Sequence, residues 1–212
     1  MVSDSVLSAE AECCAWLCAS PRGAGILLRT LAACAPRPPL AVRLAYTLGN
    51  MAAEHHHARL SIYNEPGGID VLLTILESYT KRNDNDARDA DSDPDLHSVG
   101  SDLGDSDGSN EDVLIKTVRV VANLCLAEGA GRGLASAHAA RVAAALLGCL
   151  RLAEAPPHTE LTDEQQSSWS ERRSELATAA LATLNNITFY RDPSDIPDPL
   201  EDTIDKICKG VL

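Results

Sequence analysis

The sequence predicts an all-α fold of stacked helical repeats, and three observations support this prediction. The 212 residues are 45% hydrophobic but only 3% aromatic, and Ala and Leu dominate the apolar residues, which favours packed helices over sheets. A short helical ending that contains an asparagine occurs three times, at Asn50, Asn123 and Asn186. Around each asparagine, apolar residues recur with the spacing i, i+4, i+7 and i+11, which is typical of one buried face of a helix.

These spacings define the long helices of the repeats, and we expect each set to form one buried stripe. The sets are Ala41, Ala45, Leu48 and Ala52, then Leu114, Val118, Val121 and Cys125, then Ala177, Leu181, Leu184 and Thr188. A divergent copy with the same spacing stands near the N-terminus and consists of Leu7, Ala11, Cys14 and Cys18.

Shorter helices separate the long ones. The run Asn-Glu-Pro-Gly-Gly at 64–68 is a turn signal, and apolar residues at helical spacing follow it. The expected unit is a short helix, a tight turn, a second helix, a loop and a long helix. The predicted ranges are 57–63, 69–80, 111–127, 131–137, 139–152 and 169–189. The Pro- and Asp-rich residues 192–199 cannot continue a helix, and 200–212 form a last amphipathic helix.

The acidic charge is concentrated in one segment of the chain. Of the net charge of −13, residues 84–112 carry eleven acidic side chains against the single base Arg88. We therefore divide the chain into N-terminal repeats at 1–83, a disordered acidic insertion at 84–110, further repeats at 111–190 and a terminal segment at 191–212. With such loops removed, the spacings between the asparagines approach the 40 to 47 residues of armadillo and HEAT units.

Composition also limits the function. The acidic balance disfavours a nucleic-acid partner. The odd count of seven cysteines, most of them in apolar helical runs, indicates buried thiols in a reducing compartment. The N-terminus lacks the pattern of a signal peptide, and no apolar run reaches the length that spans a membrane. We expect a soluble, cytoplasmic protein that does not bind a membrane.

Several stretches resemble a known family. The turn at 67–69 and long helices that end in an apolar residue, any residue, Asn and another apolar residue resemble armadillo repeats. Residues 44–51 with Ala58 and Arg59, residues 111–116 with 119–123, and residues 185–190 together resemble the armadillo repeat-containing protein 2 family, over about residues 40–190. The resemblance implies an armadillo-repeat, right-handed superhelical solenoid of about three units with partial terminal helices, and a short or partial member of the family.

The same resemblance implies a setting and a function. It places the chain in the cytoplasm and in the axoneme of motile cilia or flagella, with a role in radial spoke assembly or docking. The chain would act as a structural subunit or as a cargo adapter for intraflagellar transport. Its partners would be axonemal, radial-spoke or transport proteins within a larger hetero-complex.

Seven residues are candidates for partner binding on the concave face that third helices line in armadillo stacks. The amides of Asn50, Asn123 and Asn186 either bind the backbone of an extended peptide or hold neighbouring repeats in register. Four residues before them, where import receptors of this fold have tryptophan, stand Tyr46, Arg119 and Ala182. Together Arg43, Lys116 and Arg119 form either a mildly basic groove for an acidic or mixed segment or a set of solvated charges.

The sequence contains no recognisable catalytic set, such as a phosphate-binding glycine loop, a nucleophile elbow or a zinc motif. Three consecutive histidines, 55–57, cannot all face one metal ion from a turn. We therefore predict a binding module that is not an enzyme and needs no metal or cofactor. The alternative function is that of a soluble peptide-binding receptor or scaffold resembling importin-alpha or beta-catenin.

Overall fold

A computed structural model of the chain describes residues 15–17, 20, 22–89, 106–157 and 161–190. Its helices are α1 (Gly23–Cys34), α2 (Pro38–Glu54), α3 (His56–Asn64), α4 (Gly68–Asp89), α5 (Ser106–Leu124), α6 (Glu128–Ser136), α7 (Ala139–Glu154) and α8 (Asp163–Thr188). The predicted N-terminal stripe at residues 7–18 and the terminal segment at 191–212 lie outside the described residues, apart from 15–17.

The helices form repeating units of three. The complete units are α3 to α5 and α6 to α8, and α1 and α2 supply the last two helices of a unit before them. The long third helices form one row in which α2 packs on α5 and α5 packs on α8. The second helices form a parallel row of α1, α4 and α7, and the short helices α3 and α6 lie beside both rows. The predicted all-α armadillo-type solenoid is confirmed.

Local sequence signals explain where several helices begin and end. Two prolines, Pro38 and Pro39, open α2, where their missing N–H groups cost no hydrogen bond. The turn after α3 contains Gly67 with φ of 73°, a left-handed conformation that favours glycine. The helix α8 begins with a capping box, in which Thr162 and Gln165 each accept a hydrogen bond from the other's backbone N–H.

Most predicted helices match within a few residues, but three differ. The helix α4 continues nine residues beyond the predicted end at Thr80, and α5 begins five residues before Glu111. Both ends of the segment 84–110, predicted to be a disordered insertion, are therefore helical, and residues 90–105 lie outside the described part. The helix α8 begins six residues before Trp169 because of its capping box. The helix α1 was not predicted.

Burial of the long helices depends on their place in the row. In α2 the predicted stripe of Ala41, Ala45, Leu48 and Ala52 is fully buried, and so is its equivalent in α5. In α5 a second stripe is buried as well, which consists of Val113, Thr117, Val120 and Leu124. The middle helix thus packs on both neighbours.

The predicted stripe of α8 is wrong. Leu181 is 55% exposed, and Ala177 and Thr188 are half-buried. The buried face of α8 instead consists of Arg173, Leu176, Ala180, Thr183, Leu184 and Ile187. This face corresponds to the second stripe of α5, because α8 packs on the long helix before it, and the described row ends at α8.

Polar side chains tie neighbouring units together. Arg59 of α3 donates to the last carbonyl groups of α2, from Nε to Ala52 O (2.5 Å) and from Nη2 to Ala53 O (2.6 Å). Tyr190 Oη donates to Cys125 O at the end of α5 (2.6 Å). These bonds satisfy carbonyl groups that a helix end leaves without a partner. The ends of the long helices are therefore fixed by residues that follow them in the chain.

A guanidinium group joins the second helices. Arg141 of α7 donates to Asp70 Oδ1 (2.7 Å), Thr74 Oγ1 (2.9 Å) and Glu77 Oε1 (2.7 Å), which lie on successive turns of α4. The geometry fixes α7 against α4 in one register.

The described residues contain neither a single helix that could cross a membrane nor a cluster of metal ligands. No single helix is long and apolar enough to cross a membrane, although α6 and α7, bent by 87°, meet the length and composition criteria as a pair. The same residues hold no group of three or more His, Cys, Asp or Glu side chains arranged to bind a metal ion.

Candidate protein-binding face

The exposed surface of the long helices α2, α5 and α8 is called the third-helix face here. All seven predicted site residues lie on these helices at equivalent positions: Arg43, Tyr46 and Asn50 on α2, Lys116, Arg119 and Asn123 on α5, and Asn186 on α8. Within each helix the spacing of three and four residues places them on one side. Arg43, Tyr46 and Arg119 are exposed, and the other four are half-buried. The sequence thus predicted which positions share this face.

The three asparagines differ in their hydrogen bonds. Asn123 Nδ2 donates to Gly49 O of α2 over 3.0 Å, so this amide joins two neighbouring units. Within the described residues the side chains of Asn50 and Asn186 make no hydrogen bond. One amide therefore has the partner that the register hypothesis expects, and the other two, unpaired in the described part of the chain, can bind a ligand.

The basic groove is interrupted at Arg119. Its Nη2 lies 2.7 Å from Glu175 Oε1 of α8, and the two side chains are 51% and 35% exposed. This ion pair neutralises one of the three cations predicted to attract an acidic segment. Glu175 stands eleven residues before Asn186, about three turns back on the same side of α8, so the same helical spacing continued from Asn186 leads to it.

A groove of about 570 Å³ lies between α5 and α8. Small side chains line much of it, together with two carboxylates and one guanidinium. The lining residues are Arg119, Ala122, Glu171, Ser174, Glu175, Thr178, Ala179 and Ala182. The sequence pattern drew attention to Arg119 and Ala182 but not to the carboxylates of Glu171 and Glu175, which give the groove its net charge.

A buried ion pair holds the two helices that form this groove. Arg173 Nε donates to Glu111 Oε1 over 2.6 Å, and both side chains are at most 5% exposed. The guanidinium also lies 5.3 Å from the centre of the Trp169 ring, within the range of a cation–π interaction. Breaking the pair is costly, because each charge would lose a partner of opposite sign in a region shielded from water. The pair therefore fixes α8 on the first turns of α5.

The cysteines in the described residues are reduced and, in two cases, buried. Burial raises the pKa of both Cys125 and Cys149 to about 12, so both thiols are protonated at neutral pH. Cys125 Sγ donates a hydrogen bond to Val121 O. A protonated thiol is a poor nucleophile, so these cysteines serve packing.

Comparison with known proteins gives a consistent picture. The chain is 28% identical over 200 residues to armadillo repeat-containing protein 2 of Bos taurus, and 27% and 26% identical over 192 residues to those of Mus musculus and Homo sapiens. Each match covers 91% of this chain, which spans about a fifth of the length of these relatives. No family model and no solved structure matches the chain. The chain is an armadillo-type helical solenoid similar to one part of armadillo repeat-containing protein 2.

Proposed function

We propose that the chain is a non-enzymatic protein-binding module of motile cilia and flagella that acts in the assembly or docking of radial spokes on the axoneme. The similarity to armadillo repeat-containing protein 2 along 91% of the chain carries this proposal. The resemblance of residues 40–190 to that family supports the ciliary part of the proposal, in which the chain works in the cytoplasm and at the axoneme.

The third-helix face supports the binding part of the proposal. Stacked repeats present an extended surface that suits a protein segment better than a small molecule. On this face the amides of Asn50 and Asn186 have no partner among the described residues, Tyr46 is 49% exposed, and a groove opens between α5 and α8. Free amides bind a peptide backbone, and an exposed tyrosine offers both apolar area and a hydroxyl group.

The end of the row supports a place in a larger hetero-complex. The face of α8 that corresponds to the buried stripes of α2 and α5 leaves Leu181 55% exposed, and Phe189 nearby is 81% exposed. In the proposed function this apolar surface adds to the contacts with axonemal or transport proteins.

Localisation and extraction of the tagged chain test the proposal. In a cell with motile cilia, the chain should accumulate in the cilium, and its absence from cilia would contradict the proposal. Treatment of demembranated axonemes with high salt then separates the two forms of the function. A structural subunit stays with the axoneme, whereas an intraflagellar-transport adapter appears in the soluble fraction and moves along growing cilia.

A second candidate function is that of a soluble peptide-binding receptor or scaffold similar to importin-alpha or beta-catenin. The groove between α5 and α8 favours it, as do two asparagine amides on the same face that make no hydrogen bond within the described part of the chain. This function predicts tight binding of short linear peptides by the isolated chain and no accumulation in cilia.

A further inference from the structure

We infer that the groove between α5 and α8 receives a lysine or arginine side chain from an extended segment of the partner protein. The inference rests on the protein-binding part of the proposed function and names the chemistry of the partner. It does not depend on the ciliary setting.

The floor of the groove suits the stem of a long basic side chain. Ala122 of α5 faces Ala179 and Ala182 of α8 across the groove, and three methyl groups leave room for a chain of methylene groups. Lysine and arginine bury such stems against apolar surface while their charged ends stay near water. A bulky aromatic side chain in place of these alanines would fill this space.

The rim of the groove supplies a site for the cationic end. Glu171 is exposed and forms no ion pair or hydrogen bond with another described residue. Thr178 and Ser174, on the same side of α8, have hydroxyl groups without a described partner. A carboxylate and two hydroxyl groups accept hydrogen bonds from an ammonium or guanidinium group. These groups complement a cation.

An acidic partner residue fits this groove less well. Arg119 is the only cation among the residues that line the groove, and it already forms an ion pair with Glu175 over 2.7 Å. The two carboxylates and one guanidinium leave a net charge of −1. An incoming carboxylate would compete with Glu175 for Arg119 and would be repelled by Glu171.

Selection from a library of random 12-residue peptides tests the inference. The full chain is immobilised, and the bound peptides are sequenced. We expect lysine and arginine to be enriched over the starting library. Enrichment of aspartate and glutamate, or no enrichment of any charged residue, would overturn the inference.

Matched variants then assign the preference to the groove. Glu171→Gln should weaken binding of a fluorescently labelled selected peptide about fivefold, because the variant keeps the shape and removes the charge. Glu164→Gln, an equal charge change at an exposed site in the first turn of α8, should leave the affinity unchanged. Equal affinities of the two variants would overturn the inference. Glu171→Lys should reverse the preference towards acidic peptides.

The outcomes separate this inference from the proposed function. If the selected peptides lack basic residues but bind the third-helix face, the groove inference fails and the binding module stands. If the chain never enters cilia, the proposed function fails, and the peptide experiment still measures what the groove binds.

Discussion

The side chain of Asn123 forms a hydrogen bond between two neighbouring repeat units. Its amide nitrogen donates to Gly49 O of the preceding long helix, five residues before α2 ends at Glu54. Asn50 and Asn186 occupy the equivalent positions but make no such bond within the described residues. Chemically identical residues in one register therefore have different roles, and only the position in the row distinguishes them.

Replacement of these asparagines by alanine tests this difference. Asn123→Ala should lower the free energy of unfolding by about 1 kcal/mol, because it removes the hydrogen bond that joins α5 to α2. Asn50→Ala, the matched control, should change it by less than about 0.5 kcal/mol. Urea denaturation measures both values. Equal losses would show that the bond to Gly49 O does not stabilise the stack.

The ion pair between Arg141 and Glu77 makes part of the stability dependent on pH. The hydrogen bond from Arg141 holds the pKa of the Glu77 carboxyl below its ordinary value near 4.5. In the unfolded chain the carboxyl has its ordinary value and binds a proton first as the pH falls. The stabilisation is therefore complete above about pH 4.5 and is lost as the pH falls through the lower pKa of the folded state.

The variant Glu77→Gln tests this dependence. At pH 7 it should be less stable than the native chain by up to about 1 kcal/mol, since both side chains are about one-third exposed. The difference should shrink at pH 3.5. Glu154→Gln, at the exposed end of α7, serves as the control and should match the native chain at both values. A difference for Glu77→Gln that stays constant with pH would contradict the account.

At the scale of elements, the short helix α6 fits between its neighbours because it contains glycines. The ring of Tyr190 occupies the space that a Cβ atom at Gly131 would need, and the Tyr63 hydroxyl does the same at Gly133. Tyr190 cannot simply move away, because its hydroxyl group donates to Cys125 O. Gly131 thus allows the residue after α8 to reach the end of α5.

Substitution of two glycines in α6 tests this packing. Gly131→Ala should destabilise the chain by about 1–2 kcal/mol, because the displaced ring costs more than the gain in helix propensity. Gly129→Ala should be neutral or slightly stabilising, because its Cβ would lie 3.7 Å from the nearest atom of Leu60, an ordinary contact. Thermal melts of both variants measure the effect. Stabilisation by Gly131→Ala would show that the Tyr190 ring moves aside at little energetic cost.

The sequence predicts the helices better than it predicts which of their faces pack against neighbouring helices. The stripes of α2 and α5 follow from periodicity, because residues four and seven apart share a face of any helix. The same periodicity does not determine whether Leu181 is buried, because burial also requires another helix on that side of α8. The early start of α8 could have been predicted from Thr162 and Gln165, because their spacing is that of a capping box.

For the candidate site as well, the sequence predicts positions along a helix but not the contacts between helices. Positions on the third-helix face were predicted because Asn50, Asn123 and Asn186 fix the register. The ion pair of Arg119 with Glu175 and the Glu171 carboxylate, which has no partner among the described residues, were not predicted, because both depend on how α8 packs beside α5. Contacts across helices decide the charge of a groove, and no local pattern encodes them.

At the scale of the molecule, the rows of helices explain how the chain presents a binding surface. The middle helix α5 buries both of its sides, whereas α2 and α8 bury mainly the sides that face it. Each unit therefore depends on its neighbours for its core, as in other repeat proteins. The rows leave the third-helix face open along its length, and the chain spans about a fifth of the relatives that it matches.

Proximity labelling from the full chain in a cell with motile cilia tests the central claim most directly. The native chain should label axonemal and radial-spoke proteins. A variant of the third-helix face that combines Asn50→Ala, Glu171→Lys and Asn186→Ala should fold normally, because these side chains make no hydrogen bond with the other described residues, and should lose much of that labelling. Neighbours from outside the cilium, or labelling that the variant leaves unchanged, would contradict the account.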